Sequence, residues 1–67
     1  MGSRTLAMNV KRHRTRAGLT QMALAERAKV SQAFVVQLET GRETNPKLDT
    51  VKRLAKALKC KISELVD

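Results

Sequence analysis

The chain has 67 residues, 14 Lys+Arg against 6 Asp+Glu, a net charge of +8, one phenylalanine and no tryptophan or tyrosine. A chain near this size buries only about 60% of its unfolded surface, so residues 1–67 are expected to form one domain of modest stability, with a core of Leu, Val, Ala, Met and Ile. The charge favours a polyanionic partner, nucleic acid or an acidic membrane surface. The chain has no apolar run of the ~20 residues that a membrane span needs, and no signal peptide is expected.

A first helix is expected from about Thr5 to Ala17. Leu6, Val10 and Ala17, with His13 and Arg14, mark one face, and Arg4, Lys11, Arg12 and Arg16 lie on the other. Gly18 ends it, since glycine readily takes the left-handed position after a helix. His13 is read as a packing residue.

From Thr20 to Gly41 the sequence predicts two short helices with a tight break at Lys29 and Val30. Thr20 caps the first, because its oxygen can accept from the free amides of a helix start, and Ser31 caps the second. Leu24, Ala25 and Ala28 fall on one apolar face. In the next helix Val35 and Leu38 point one way, and Gln32, Ala33, Val36 and Gln37 point the other. Two glutamines on an exposed helical face of a strongly basic chain suggest a helix that reads base edges, since an amide offers a donor and an acceptor side by side.

Arg42 to Lys47 is a polar loop holding the turn dipeptide Asn45-Pro46. A fourth helix is predicted from Leu48 to Leu58, with Leu48, Val51, Leu54, Ala55 and Leu58 as its apolar stripe and Asp49 near its positive end. A short fifth helix follows, from about Ile62 to Val66. One histidine, one cysteine and scattered carboxylates make neither a catalytic triad nor a metal-ligand set. No enzyme activity, metal or cofactor is expected. Cys60 has no partner for an internal disulfide, which fits a reducing cytosol and a cytoplasmic protein.

Thr20, Gln21, Leu24, Ala25, Val30, Ser31, Gln32, Val35, Leu38, Glu39, Gly41, Pro46, Leu48 and the run Leu54 to Leu58 together resemble the helix-turn-helix of the lambdoid phage repressor and Cro family. The resemblance covers about Leu6 to Leu65. It implies a compact all-α, five-helix, DNA-binding fold. It places Gln32, Ala33 and Gln37 against bases; Val36, more apolar than an exposed site needs, is read as a further base contact, through a thymine methyl group. Thr20, Gln21, Ser31, Phe34, Arg42, Thr44, Asn45 and Lys47 fall against the phosphate backbone, with Gln21 also bracing the next glutamine. It implies a buried ion pair between Arg14 and Glu39, and a buried structural thiol at Cys60. It further implies a homodimer on a two-fold symmetric duplex operator, with Lys61, Ile62 and Val66 at the dimer contact. The family usually has glycine where Lys29 and Lys59 stand here.

The function expected is a transcriptional regulator, most readily a repressor. An antitoxin that masks a toxin and a restriction-modification controller resemble the same pattern. A binder driven by charge alone would have no need of the amide face on the third helix.

Overall fold

The computed structural model describes residues 2–43 and 45–66, with side chains from residue 5 onward. Five helices follow one another: α1 Gly2–Arg16, α2 Gln21–Ala28, α3 Gln32–Glu39, α4 Leu48–Leu58 and α5 Ile62–Val66. No strand occurs among the described residues. α2 packs on α3 and α4, α1 packs on α3 and α5, and α4 also meets α5. The centre is aliphatic. Val10, Leu24, Val35, Leu38, Leu54 and Leu65 are fully buried, one or two from each helix. Truncating a buried leucine to alanine costs ~2–5 kcal/mol, so few of these positions are dispensable in a chain of this length.

One backbone device closes α1, α2, α3 and α4. At each end a residue two or three places past the helix donates back five positions: Leu19 N to Arg14 O at 3.1 Å, Val30 N to Ala25 O at 2.9 Å, Arg42 N to Gln37 O at 2.9 Å and Cys60 N to Ala55 O at 3.0 Å. The residue before it is left-handed, with φ of 72° at Gly18, 58° at Lys29, 83° at Gly41 and 55° at Lys59. This is the Schellman closure, which satisfies carbonyls that the helix end leaves free. Leu19, Val30 and Cys60 fold back against the core, so three of these ends are also sealed by packing. Burial, and then the negative charge of Glu64, push the Cys60 thiol up, which favours the protonated, unreactive form at neutral pH.

Asn9 is buried, and its Nδ2 donates to Leu65 O at 3.0 Å, tying α1 to the last helix. The sequence reading overlooked it. Three other expectations are corrected. Ala17 is exposed, because α1 stops at Arg16 and the chain turns at Gly18, bringing Leu19 back to cover that end of the core. Leu48 is 62% exposed, because it opens α4 and its turn overhangs the core that begins at Val51. Met8 and Met22 are more than half exposed and add little to the interior.

Lysine at a left-handed site costs ~1 kcal/mol relative to glycine. Lys29 is exposed, so its side chain has little packing to lose. Lys29→Gly is therefore expected to stabilise the chain by up to ~1 kcal/mol, roughly 4–8 °C in melting temperature for a domain of this size. A fall in melting temperature would mean that the lysine side chain contributes more than its backbone costs.

Candidate nucleic-acid interface

α2 and α3 present their N-terminal ends with capped amides. Thr20 Oγ1 accepts from Ala23 N at 3.0 Å, and Ser31 Oγ accepts from Phe34 N at 3.0 Å. Each hydroxyl keeps its own hydrogen to donate outward. α3 then divides cleanly. Val35 and Leu38 are fully buried, while Gln32, Ala33, Val36 and Gln37 are exposed along the opposite side. Among the described residues no side-chain hydrogen bond engages either glutamine amide. α3 carries no Lys or Arg, and its acidic residue, Glu39, is turned inward.

Glu39 is the acceptor that anchors this helix. Its side chain is 3% exposed. Arg14 reaches it from α1 through two donors, Nε to Oε2 at 2.6 Å and Nη2 to Oε1 at 3.1 Å. A third Arg14 nitrogen, Nη1, donates to Leu19 O at 2.8 Å. The hydrogen bond to Glu39 raises the Arg14 pKa, burial opposes this, and the charge of Glu39 adds to the rise. Gln21, at the start of α2, donates from Nε2 to Glu39 Oε1 at 3.1 Å. The resemblance had Gln21 bracing the next glutamine. Here its amide hydrogen goes to Glu39 instead, because that oxygen still has a lone pair free after taking Arg14. Gln21 thus ties the start of α2 to the end of α3.

The loop after α3 brings cations beside this face. Arg42, Asn45 and Lys47 are exposed, and Thr44 lies outside the described residues. Glu43 is half-buried, and its Oε2 accepts from Asn45 N at 3.2 Å, shaping the turn from within. Sequence reasoning passed over this acid, since nothing marks it off from an ordinary surface carboxylate. Phe34 packs partly against the core, and its ring edges a cleft with Pro46, Lys47, Thr50 and Arg53.

The residues named for a dimer contact sit at the far end of the chain. Lys61 is exposed and its backbone N–H donates to Glu64 Oε1 at 2.9 Å, which caps α5. Ile62 packs partly on the core, and Val66 is 47% exposed. Among the described residues no group of His, Cys, Asp or Glu is placed to hold a metal ion, and no helix is long and apolar enough to cross a membrane.

A helix-turn-helix family model, HTH_3, matches residues 10–65. The chain belongs to this family. It is 36% identical over 62 residues to an uncharacterised HTH-type transcriptional regulator of Coxiella burnetii, covering 92% of the chain but only 29% of that protein's length. Among solved structures it is similar to the restriction-modification controller protein C.AhdI of Aeromonas hydrophila, at 29% identity and a TM-score of 0.87 over 92% of both chains. The fold also matches SinR, a master regulator for biofilm formation solved in complex with DNA, at 24% identity and a TM-score of 0.89 over 92% of this chain and 98% of that one.

Removing one member of a buried ion pair strands the other charge and costs ~3–5 kcal/mol. Glu39→Ala is expected to lose most of the stability of this small fold, since Arg14 and Gln21 lose their acceptor together. Thermal unfolding followed by circular dichroism checks this. A variant that melts like the parent would show that water takes over the role of the carboxylate.

Proposed function

We propose that the chain is a sequence-specific, double-stranded DNA-binding unit of a transcriptional regulator. It acts in the cytoplasm as a repressor bound to a two-fold symmetric operator. The observation that carries this reading is the outward side of α3: two unengaged amides and two small apolar groups, without a cation, flanked by a basic loop. Gln32 and Gln37 suit adenine N6 and N7 in the major groove, and Ala33 and Val36 suit thymine methyl groups. Thr20, Gln21, Ser31, Phe34, Arg42, Thr44, Asn45 and Lys47 border the phosphates. Membership of the helix-turn-helix family and the Coxiella burnetii relative's description as a transcriptional regulator support the reading.

The regulator pairs on DNA through Lys61, Ile62 and Val66, which sets recognition helices about 34 Å apart, one turn of the duplex. Val66 supplies the freely exposed apolar group of that contact. The patch is small and basic, so pairing depends on the operator. A second reading, control of a restriction-modification system, is favoured by the likeness to C.AhdI over 92% of each chain. It differs in the genes governed and uses the same interface.

Reading and holding have different signatures. Losing a bidentate amide–adenine contact costs ~1–3 kcal/mol on the preferred site and little on random DNA. Losing a phosphate contact weakens both and lowers the salt slope by roughly 0.9 per charge. After an operator is selected from random duplexes, Gln32→Ala is expected to relax preference at one base pair per half-site with the salt slope intact. Lys47→Ala is expected to weaken operator and random duplexes alike, with a smaller slope. Equal losses on both duplexes for Gln32→Ala would remove that residue as a reader.

The dimer is tested separately, by cutting the selected operator to one half-site. Binding to the half-site is expected to fall well below binding to the whole. Undiminished affinity for the half-site would remove the proposed pairing.

A further inference from the structure

The far end of α3 is anchored at Glu39, but the loop that follows leads into a part of α4 that the core does not reach. Leu48 is mostly exposed, and burial begins at Val51. α4 packs against α2 and α5, while α3 packs against α1 and α2. No extensive packed face therefore joins α3 to the helix that Lys47 caps.

Arg53 spans this gap from α4. Its Nη1 donates to Lys29 O at 3.2 Å, in the short turn that enters α3. Among the described residues no other side-chain hydrogen bond joins α4 to α2, to that turn or to α3. Its Nε is enclosed and lies 3.4 Å from Asp49 Oδ2, on the first turn of α4, near enough for charge attraction but without a hydrogen bond. The side chain borders two open clefts. One holds Phe34, Glu43, Asn45, Pro46, Lys47 and Thr50. The other includes Arg27, Lys29, Lys56 and Lys59.

We infer that Arg53 is a positioning residue for DNA recognition, which holds the first turn of α4, with Asn45 and Lys47 just before it, in register with the entry to α3. The inference rests on the function proposed above and names what couples holding to reading. Phosphate contacts set where a protein sits on a duplex, and base contacts turn that placement into specificity. A loop that drifts relative to α3 still meets phosphates on any duplex, but it no longer brings Gln32 to its base pair. Arginine suits the task because its rigid fork reaches the carbonyl with one nitrogen and faces the carboxylate with another. Lysine has one ammonium on a flexible stem. Direct phosphate contact is the weaker role for Arg53, since Asp49 stands beside it and the half-buried carboxylate of Glu43 shares its loop-side cleft. The side chain is partly exposed and its hydrogen bond lies at the surface, so replacing it does not open the core.

The test compares Arg53→Lys and Arg53→Met with the parent on the selected operator and on random duplex at several salt concentrations. Arg53→Lys keeps the charge. Its affinity for random duplex and its salt slope are expected to match the parent, while its affinity for the operator falls severalfold. Arg53→Met is expected to lose the same preference. A second readout needs no DNA. Residual dipolar couplings of the backbone amides of Asn45, Lys47, Asp49 and Thr50 should fit the frame of α2 and α3 in the parent. In Arg53→Lys they should depart from that frame, while the amides of α1 stay in it.

A lysine variant with the parent's preference would overturn the assignment. So would an Arg53→Met variant that keeps the preference and loses roughly 0.9 of salt slope, which marks a direct phosphate contact. Equal losses on both duplexes together with a lower melting temperature would reduce Arg53 to a structural role and overturn it too, as would unchanged couplings in the lysine variant. A parent that recovers no preferred site from random duplexes would instead overturn the proposed function, and the couplings would still decide whether Arg53 sets the register.

Discussion

The orientation of α3 depends on a carboxylate that is almost wholly buried. Glu39 accepts from Arg14 on α1 and from Gln21 at the head of α2. Burying an unpaired charge is costly, and a guanidinium fork offsets that cost because its planar geometry matches both carboxylate oxygens. The pair contributes geometry more than net stability, since buried ion pairs rarely outperform well-packed apolar groups. Three elements are pinned at one point, the inward end of the helix whose opposite side is open. The aliphatic core could tolerate small rotations of α3. The fork tolerates few, so the amides of Gln32 and Gln37 face outward from a helix fixed at its end.

The helix ends supply the second constraint. Short helices stop where an orphan carbonyl can be satisfied, and here they stop by one recurrent closure that also turns Leu19, Val30 and Cys60 back onto the core. The turn between α2 and α3 is this closure followed directly by a serine cap. No spare residue remains in it, and the angle between the two helices follows from the backbone hydrogen bonds of Ala25, Glu26 and Val30. Such a turn transmits the position of α2, and hence of Gln21, to the start of α3.

Most of the fold was legible because its signals are local. Thr20, Ser31, Gly18 and Gly41 mark helix boundaries through capping and handedness, and Val51, Leu54, Ala55 and Leu58 mark a face through period alone. The division of α3 into Val35 and Leu38 against Gln32, Ala33, Val36 and Gln37 was legible for the same reason. Errors arose where a local pattern met a tertiary edge. Leu48 continues the stripe of α4, but the core does not extend to the first turn. Ala17 has the right period, yet the chain leaves the helix there. Asn9–Leu65, Gln21–Glu39 and Arg53–Lys29 carry no local signal, because a polar side chain's partner depends on how helices are stacked. The clustering of Lys29 and Lys59 in one cleft was hidden for the same reason: 30 positions separate them in sequence, and the packing of α2 on α4 brings their helix ends together.

Charge and the proposed readout fall on different elements. The outward side of α3 is neutral, so under the proposed function its discrimination would depend on amide geometry and methyl contact. The exposed cations stand on α1, on the loop before α4 and on α4 and the end of α2, and positive surface attracts a polyanion whatever its sequence. A basic side chain on α3 would strengthen binding everywhere and dilute the difference between one sequence and another. With a net charge of +8 already in place, further attraction would add little that the rest of the surface does not supply. Under the proposed function, a neutral reading face would leave discrimination to contacts that add no charge, so salt would govern how tightly DNA is held more than which DNA is preferred.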